Sequence, residues 1–398
     1  MARLGKDSSF VFRRGFYGRL IFAPSEIIYI IPFRKLLLLA YVCVLGCSGS
    51  TDPTLELGES TIRFSADTLF AYELKGWILT KSDSLAMPLL IATGEEHLYV
   101  GDIQATRPLM VFDRTTGELV KYAGGRGRGP REIEYLWSMD FKPGEDVGWL
   151  FDFPTRIFHQ FDGDSLTDRS ITLQDTGAPM SPVWVKDDSI ASVGMFEDGR
   201  LAVYDSDGLF RRFIGSSPPG DPEVPVPVRQ HAYEAIVQTN SAGSLIAIAS
   251  KNTDLVEIFS TEGLLHSIRG PGFDEPAYTL YGDDEGNQWL GLDDETIKSY
   301  VSVSVTDDLI FALYSGLPFE DLKKSSWFSS PARTVYVFSW SGTPLAALEI
   351  EYGALKISVS ADGQDLYALY HRPVPSVMHY KVPRTLSADR QDLYAHFH

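Results

Sequence analysis

A short pattern recurs along the chain. In each copy an alternating strand ends near an aromatic residue, a polar turn follows, and a second apolar strand closes the unit. The full copies are LMVFDRTTGELVKYAG (109–124), IFHQFDGDSLTDRSITL (157–173), LAVYDSDGLFRRFIG (201–215), LVEIFSTEGLLHSIRG (255–270) and VYVFSWSGTPLAALEI (335–350), with a truncated copy, SVMHYKVP, at 376–383. Alternation bounded by Asp, Ser and Gly turns is typical of β-hairpins. Because a fixed period restricts a chain to few architectures, this repeat constrains the fold most.

The aromatic residue of each copy measures the spacing of the repeat. The landmarks are Phe112, Phe161, Tyr204, Phe259, Phe338 and Tyr380, at intervals of 49, 43, 55, 79 and 42 residues. A second pair of alternating strands precedes each copy, as in MPLLIATGEEHLYVGD (87–102). One unit therefore holds four strands, and a four-stranded propeller blade needs about 40–45 residues. The sequence predicts an all-β protein, a six-bladed β-propeller of four-stranded blades.

The last unit has only three strands before the chain becomes polar near Pro383. The segment TLFAYELKGWIL (68–79) is the candidate for the missing outer strand, and closing the ring with an N-terminal strand avoids a bare sheet edge. The long interval contains an extra segment at 316–332 and an acidic loop at 283–295. A sandwich with a separate β domain is the alternative architecture, and six phased copies favour the propeller.

The N-terminal region has the character of an export signal. Arg34 and Lys35 precede a short apolar run that ends at Cys47, too short to span a bilayer by itself. Val44–Leu45–Gly46–Cys47 resembles the bacterial lipobox, in which the Cys is acylated and becomes the mature N-terminus. An ordinary signal peptide or a short membrane anchor is the alternative. Ser48, rather than Asp, after the Cys favours the outer membrane of a Gram-negative-type bacterium.

These features predict the organisation of the chain. The expected parts are a leader at 1–46, a linker at 47–60, the propeller at 61–383 and a tail at 384–398. The leader is longer than a signal needs, and either a start assigned too far upstream or an extended leader explains its length. Residues 1–47 hold seven basic and two acidic residues, so their removal changes the net charge from −18 to −23. So acidic a protein repels phosphate backbones, which argues against nucleic acid as a partner. The two cysteines both lie in this segment, so the expected mature protein has no disulfide.

Two long segments resemble a known family. LMVFDRTTGELVKYAGGRGRGPREI (109–133) resembles the first-blade exit of TolB-like and NHL-like six-bladed propeller lipoproteins. VYVFSWSGTPLAALEIEYGALKISVSADGQDLYALY (335–370), with MHYKV (378–382), is similar to the closing blades of the same group. The resemblance covers about residues 70–383. It implies an exported, usually lipid-anchored propeller, mostly without an assigned activity; NHL-type relatives include carbohydrate- or protein-binding modules and a few lyases. It implies no catalytic residues, because no motif matches.

The most conspicuous short stretch is YAGGRGRGPREIEY at 122–135. A dinucleotide fingerprint fails because Pro130 replaces its last Gly and no helix follows, and a P-loop fails because Pro130 replaces its Lys. Glycines that permit a sharp turn, followed by a stiff Pro, favour a connection between blades. In the functional interpretation, Arg126, Arg128 and Arg131 point into the central funnel and bind an anionic group, to which guanidinium is suited.

Motifs for chemistry are few. No nucleophile elbow is present, the eight His are scattered, and the acidic loop at 283–295 lacks the order of a Ca²⁺-binding loop. We therefore expect no cofactor, although the oxygen-rich loop leaves Ca²⁺ or another divalent metal open. Trp289 and Trp327 lie in the two insertions, where exposed aromatic side chains commonly mark binding surfaces, although core packing is the simpler explanation.

The expected function is that of a lipid-anchored cell-envelope propeller that binds a ligand or an envelope protein without catalysis. The lipobox, the phased repeat and the lack of catalytic motifs support it, and a lipid anchor is the only expected contact with a membrane. One alternative is a metal-dependent lyase or lactonase with its site in the propeller funnel. A His-dependent lyase, with His97, His159 or His231 near the axis, is left open beside it. The other alternative is a structural or assembly partner of envelope proteins.

Overall fold

The computed structural model of the chain describes residues 61–386, except 82–84, 175, 284–285, 326–331 and 372–373, and a short strand pair nearer the N-terminus. That pair consists of the antiparallel strands Ile21–Ala23 and Glu26–Ile28. No helix of the described residues is long and apolar enough to cross a membrane.

Three antiparallel four-stranded sheets occupy the first half of the described region. Blade one contains strands Pro88–Thr93, His97–Asp102, Leu109–Asp113 and Leu119–Ala123. Blade two contains strands Leu136–Phe141, Gly148–Asp152, Ile157–Phe161 and Leu166–Thr172. Blade three contains strands Ala178–Val185, Ser189–Met195, Leu201–Tyr204 and Phe210–Ile214.

Three further sheets complete the set. Blade four contains strands Ala235–Thr239, Leu245–Ser250, Leu255–Ser260 and Leu264–Arg269. Blade five contains strands Ile297–Val305, Leu309–Pro318, Ala332–Ser339 and Pro344–Ala354. Blade six contributes strands Lys356–Val359, Asp365–Tyr370 and Ser376–Lys381. The first strand of each blade contacts the first strand of the next, and that of blade six contacts that of blade one. The fold is therefore a six-bladed β-propeller, as the repeat predicted.

The aromatic landmarks of the repeat occupy equivalent places in the blades. Each lies near the end of a third strand, and each is buried, with at most 1% of its surface exposed. Side chains of adjacent blades pack together there. Tyr99 of blade one, for example, stacks on Phe141 of blade two with ring centroids 4.4 Å apart and contacts the landmark Phe161 edge-on. The repeat is thus a packing requirement, because one large ring per blade fills the space between sheets.

The N-terminal segment closes the ring and reinforces it. Gly76–Lys81 pairs antiparallel with the third strand of blade six and supplies the missing fourth strand, which confirms the predicted closure. A Cβ on Gly76 would lie 2.5 Å from the ring of Tyr380, so only glycine fits against this landmark. Two additions were not predicted: Phe70–Leu74 lies parallel to the outer strand of blade five, and Thr61–Arg63 lies parallel to that of blade four. The segment therefore spans three consecutive blades.

Several smaller elements connect the blades. They are a parallel strand pair Gly125–Arg126 and Glu132–Ile133, helix Val226–Ala232, hairpin Tyr278–Gly282 with Gln288–Leu292, helix Phe319–Ser325 inside blade five, and 3-10 turns Ala66–Thr68 and Arg384–Leu386. The acidic segment 283–295 is therefore only partly a loop, because its second half forms a strand. Leu290 explains this difference: it is 4% exposed and packs against the helix at Val228 and Ala232.

Candidate functional site

The propeller has two ends that differ in their loops. In every blade the first strand begins where the chain arrives from the preceding blade. Because the strands are antiparallel, the loop between the second and third strands lies at that same end. We call this end the connection face and the opposite end, where the first strands finish, the turn face. The blade connection at 124–135, both short helices and the 278–292 hairpin all belong to the connection face.

The first strands of all six blades enclose a central cavity of about 200 Å³. Its wall is mostly apolar on blades one and two, where Leu89, Ile91 and Trp137 contribute. Two small polar side chains also line the cavity, Ser138 of blade two and Ser181 of blade three. Because the lining residues come from six distant parts of the sequence, no short motif could have revealed this cavity.

Three lysines come together at the connection-face end of the cavity. Lys251 follows the second strand of blade four, while Lys298 and Lys356 lie at the beginning of the first strands of blades five and six. Lys251 and Lys356 line the cavity itself. Glu234, which directly precedes the first strand of blade four, is the one carboxylate that pairs with the trio among the described residues. We call these four residues the channel-mouth cluster.

Hydrogen bonds between blades hold the channel-mouth cluster in place. Lys251 Nζ lies 2.6 Å from Glu234 Oε1, and the two side chains are only 20% and 18% exposed. Lys298 Nζ donates across to Asn252 Oδ1 of blade four at 3.4 Å. Lys356 Nζ donates to the Val301 carbonyl of blade five at 2.5 Å. The ammonium groups are therefore positioned by the fold and do not extend freely into solvent.

Burial and neighbouring charges shift the pKa values of three residues of the channel-mouth cluster. Burial, reinforced by repulsion from Lys251 and Lys298, lowers the pKa of Lys356 to about 7. Burial and the charge of Lys251 lower the pKa of Lys298 to about 8, against the attraction of Glu234. Burial opposes ionisation of Glu234, but Lys251 and Lys298 overcome it and lower its pKa to about 2. At neutral pH the Glu234 carboxylate is charged, while Lys298 and Lys356 hold their protons more weakly than a free lysine does.

A histidine completes the mouth. His231 lies on helix Val226–Ala232, and the Glu234 amide donates to its carbonyl. Burial lowers the pKa of His231, and the charges of Lys251 and Lys298 add to this effect, while Glu234 acts against it. The imidazole is therefore neutral at neutral pH. The other two candidates lie apart from the mouth: His97 is 3.6 Å from Asp146 at the turn face, and His159 is buried in the third strand of blade two.

An aromatic wall faces the mouth from blade two. Trp137 stacks on Phe153 with ring centroids 5.0 Å apart, and Tyr135 lies 6.0 Å from the same indole. Lys251 Nζ is 6.0 Å from the Trp137 ring, at the outer limit of a cation–π contact. Burial raises the pKa of Tyr135, so its hydroxyl stays protonated at neutral pH. The mouth thus combines a flat apolar surface on one side with ammonium groups on the other.

The turn-face end of the channel is tied together by polar contacts. Lys142 Nζ donates to Thr239 Oγ1 at 2.5 Å and also to the Trp184 carbonyl, so it bridges three blades. Asp140 accepts from the Trp184 amide at 2.8 Å, and burial raises the pKa of its carboxyl. This end holds a single lysine with acceptors on two other blades, whereas three lysines meet at the mouth, so we interpret it as a structural closure.

The arginines predicted from the sequence diverge. Arg126 donates to the carbonyls of Ile103 and Ala105 at 2.5 and 3.1 Å, and Ile103 lines the cavity, so Arg126 lies at the rim of the mouth. Arg128 forms two hydrogen bonds with Glu134, at 2.7 and 2.9 Å. Arg131 forms two with Asp168 on the outer strand of blade two, both at 2.9 Å. The structure brings only Arg126 near the channel.

The other predicted site residues lie on or beyond the insertions. Trp289 is half-buried in the hairpin and stacks nearly parallel to Tyr281 at 6.3 Å. Trp327 and Cys47 lie outside the described residues. The two insertions touch, because Lys323 Nζ of the helix is 2.7 Å from Asp294 Oδ1. Within the described part of the chain, no three His, Cys, Asp or Glu side chains are placed to hold a metal ion.

The sequence over residues 73–362 matches the family described as TolB-like 6-blade propeller-like. The chain belongs to this family. The match covers most of the propeller, from the closing N-terminal strands to blade six, and agrees with the resemblance seen in the first and last blades. The comparison with curated proteins found no match.

Solved structures with similar folds come from distant sequences. A DUF4221-family protein from Bacteroides vulgatus has a TM-score of 0.51 at 10% identity, covering 79% of this chain and 97% of its own. A Bacteroides fragilis protein that is assigned as exported has a TM-score of 0.49 at 12% identity, covering 80% and 98%. At these identities the similarity concerns the fold alone.

Proposed function

We propose that this TolB-like propeller is a binding module of the cell envelope whose ligand enters the channel mouth on the connection face. The observation that carries the proposal is the convergence, from three blades, of positioned charged side chains on a cavity with an aromatic wall. Such a concave site with few oriented polar groups is the usual form of a small-molecule site. Arg126 stands at its rim, and the 278–292 hairpin and helix Phe319–Ser325 share its face.

The test is to recover small molecules from the protein purified out of its native envelope and to compare a variant with a filled channel. Ser181→Trp places a large ring in the cavity, while Ser341→Trp places the same ring on an exposed turn-face loop. We expect the wild type and Ser341→Trp to retain a compound, identified by mass spectrometry, that Ser181→Trp has lost. Thermal unfolding verifies that both variants are folded. Retention of the same compounds by Ser181→Trp would contradict the proposed site.

The proposal includes a lipid anchor at Cys47 in the outer membrane. Its support is the lipobox-like Val44–Cys47 behind a basic pair and a short apolar run. Replacing Cys47 by Ser is expected to release the protein from the membrane fraction and to abolish labelling by a radioactive fatty acid. Continued labelling and membrane retention of Cys47→Ser would show that the anchor is elsewhere or absent.

A further inference from the structure

The channel-mouth cluster carries more positive than negative charge. Three ammonium groups share one carboxylate among the described residues, since Lys298 and Lys356 are hydrogen-bonded only to uncharged oxygens there. The whole chain, in contrast, has a net charge of −18. A general surplus of basic residues therefore does not explain the cluster, and the lysines come from three different blades.

Positioning like charges together disfavours the free protein. Partly buried ammonium groups lose hydration and repel one another, and this cost persists until an opposite charge arrives or a lysine releases its proton. The fold could satisfy the mouth with further carboxylates, as it does for Arg128 and Arg131. Among the described residues, the mouth is short of two negative charges when all three lysines are protonated.

The volume and the apolar wall of the cavity limit the size and the chemistry of the ligand beyond its charged group. A volume of about 200 Å³ is below the ~300–1,000 Å³ of sites for drug-sized ligands, so the ligand is small. Trp137, Leu89 and Ile91 offer it an apolar surface opposite the lysines. A ligand with a charged head and a flat or branched apolar body would satisfy both sides.

The geometry points to a small dianion, either a dicarboxylate or a phosphomonoester with an apolar body, as the ligand of the channel mouth. Lys251, Lys298 and Lys356 hold the charged oxygens, and Trp137 packs against the body. Glu234 orients Lys251 and limits the surplus charge of the free site. This inference rests on the proposed function, because it assigns the ligand class of the same cavity.

Isothermal titration calorimetry with three probes tests it. Phenyl phosphate and phenylsuccinate are the dianions, and they distinguish a phosphoryl from a dicarboxylate head; benzamide is the uncharged control. We expect at least one dianion to bind with a dissociation constant below about 1 mM. Lys251→Met and Lys356→Met should each weaken it at least about tenfold. Lys121→Met is the matched control: Lys121 lies on the outer strand of blade one and pairs with Asp164 of blade two, and its removal should change the affinity less than about twofold.

The pH dependence supplies a readout that a purely structural role would not move. The titratable and charged groups at the channel mouth are Glu234, His231, Tyr135, Arg126 and the three lysines. A bound dianion favours the protonated lysines, so affinity should fall as pH rises from 7 to 9, by up to about tenfold per pH unit for each lysine that must take up a proton. Lys356→Met should reduce this slope.

The outcomes separate the two proposals. No binding of either dianion up to about 5 mM, equal binding of benzamide, or unchanged affinity in both lysine variants would overturn the dianion inference. If a neutral compound is retained by the wild type and lost from Ser181→Trp, the binding module stands while the dianion inference fails. If Ser181→Trp retains the same compounds as the wild type, the channel site itself fails.

Discussion

The arginines at 126–131 and the lysines of the channel mouth are both clusters of cations in an acidic protein, yet they are built differently. Arg128 and Arg131 each meet a carboxylate in a two-point pair on the exposed surface. The three lysines are far apart in sequence, share the carboxylate of Glu234, and are partly buried. In the first region Arg128 and Arg131 are neutralised by carboxylates and only Arg126 is not, whereas the second region retains surplus positive charge among the described residues.

The difference shows how a site can be told from a connection. Gly124, with φ of +70°, and the parallel pair at 125–126 and 132–133 turn the chain from blade one to blade two, so the arginines there accompany a turn. The lysines accompany the ends of strands that surround the axis. A surplus of charge that the fold assembles from distant residues is better evidence of a ligand than charges that are merely adjacent in sequence.

The largest expected effect comes from reversing one charge in each region. Lys298→Glu places a second carboxylate beside Glu234 and should reduce affinity for a dianion such as phenyl phosphate more than about 100-fold. Arg128→Glu makes the same reversal beside Glu134 and should leave that affinity within about twofold, since exposed charges are screened. Isothermal titration calorimetry on both variants measures the two affinities. Similar losses of affinity in both variants would contradict the contrast between the arginine region and the channel mouth.

Removing the shared carboxylate should destabilise the protein. Glu234→Gln leaves the partly buried Lys251 without its partner and should lower the free energy of unfolding at pH 7 by about 2 kcal/mol. Because the folded pKa of Glu234, about 2, lies below that of an unfolded Glu, its contribution is present above about pH 4.3 and disappears as pH falls toward 2. Urea unfolding across this range measures the difference between variant and wild type.

Asp168→Asn is the control for that experiment. It removes the partner of Arg131, but both side chains are largely exposed. We expect no measurable change in stability at pH 7, because exposed ion pairs contribute little. A loss as large as that of Glu234→Gln would show that the two ion pairs have the same environment.

Removing a strained lysine should stabilise the protein. Lys356→Met eliminates repulsion within the channel mouth and should raise the free energy of unfolding at pH 7 by about 1–2 kcal/mol. The folded pKa of Lys356, about 7, lies below the unfolded value of about 10.4, so the unfolded chain binds more protons between these limits. The free energy of unfolding of the wild type should therefore increase as pH rises from 7 to 10. Lys356→Met should lack the part of this increase that comes from the lysine. Urea titrations at several pH values would show it; destabilisation by Lys356→Met would contradict the account.

The smallest expected effect on stability concerns the turn that connects blade one to blade two. Gly124→Ala forces a side chain into a left-handed conformation and should cost about 1 kcal/mol, although the space around its Cβ is adequate. Gly125→Ala, at a position without positive φ, is the matched control and should cost less. Thermal unfolding of the two variants compares them, and equal melting temperatures would mean that the turn does not depend on Gly124.

The fold was predictable because its determinants are periodic. The buried landmarks, from Phe112 to Tyr380, each lie in a third strand. In the polar turn of the copy at 201–215, Asp205 accepts hydrogen bonds from the amides of Asp207 and Leu209. The closing strand was predicted because a three-stranded last blade needs a fourth. The two extra N-terminal strands were not, because edge additions leave no periodic signal.

The channel mouth was not predicted, because its members are separated by 17 to 122 residues and none belongs to a motif. A signal did exist in the phase of the repeat. Glu234, Lys298 and Lys356 stand in HAYEAIVQ, TIKSYVSV and ALKISVSA, each at the entry to a first strand. Aligning the first strands of the six blades would have placed these charges at one level of the axis. The arginines, in contrast, are contiguous and so stand out in the sequence without any alignment.

The most direct test is to measure the side-chain titration of Lys356 by NMR, with lysines labelled at Cε and Lys356→Met used for assignment. The account predicts a pKa near 7 in the free protein and a rise of at least about one unit when phenyl phosphate saturates the site. A Lys356 that titrates near 10.4 and does not respond to the ligand would contradict the claim that the propeller holds positive charge at its channel mouth for an anion.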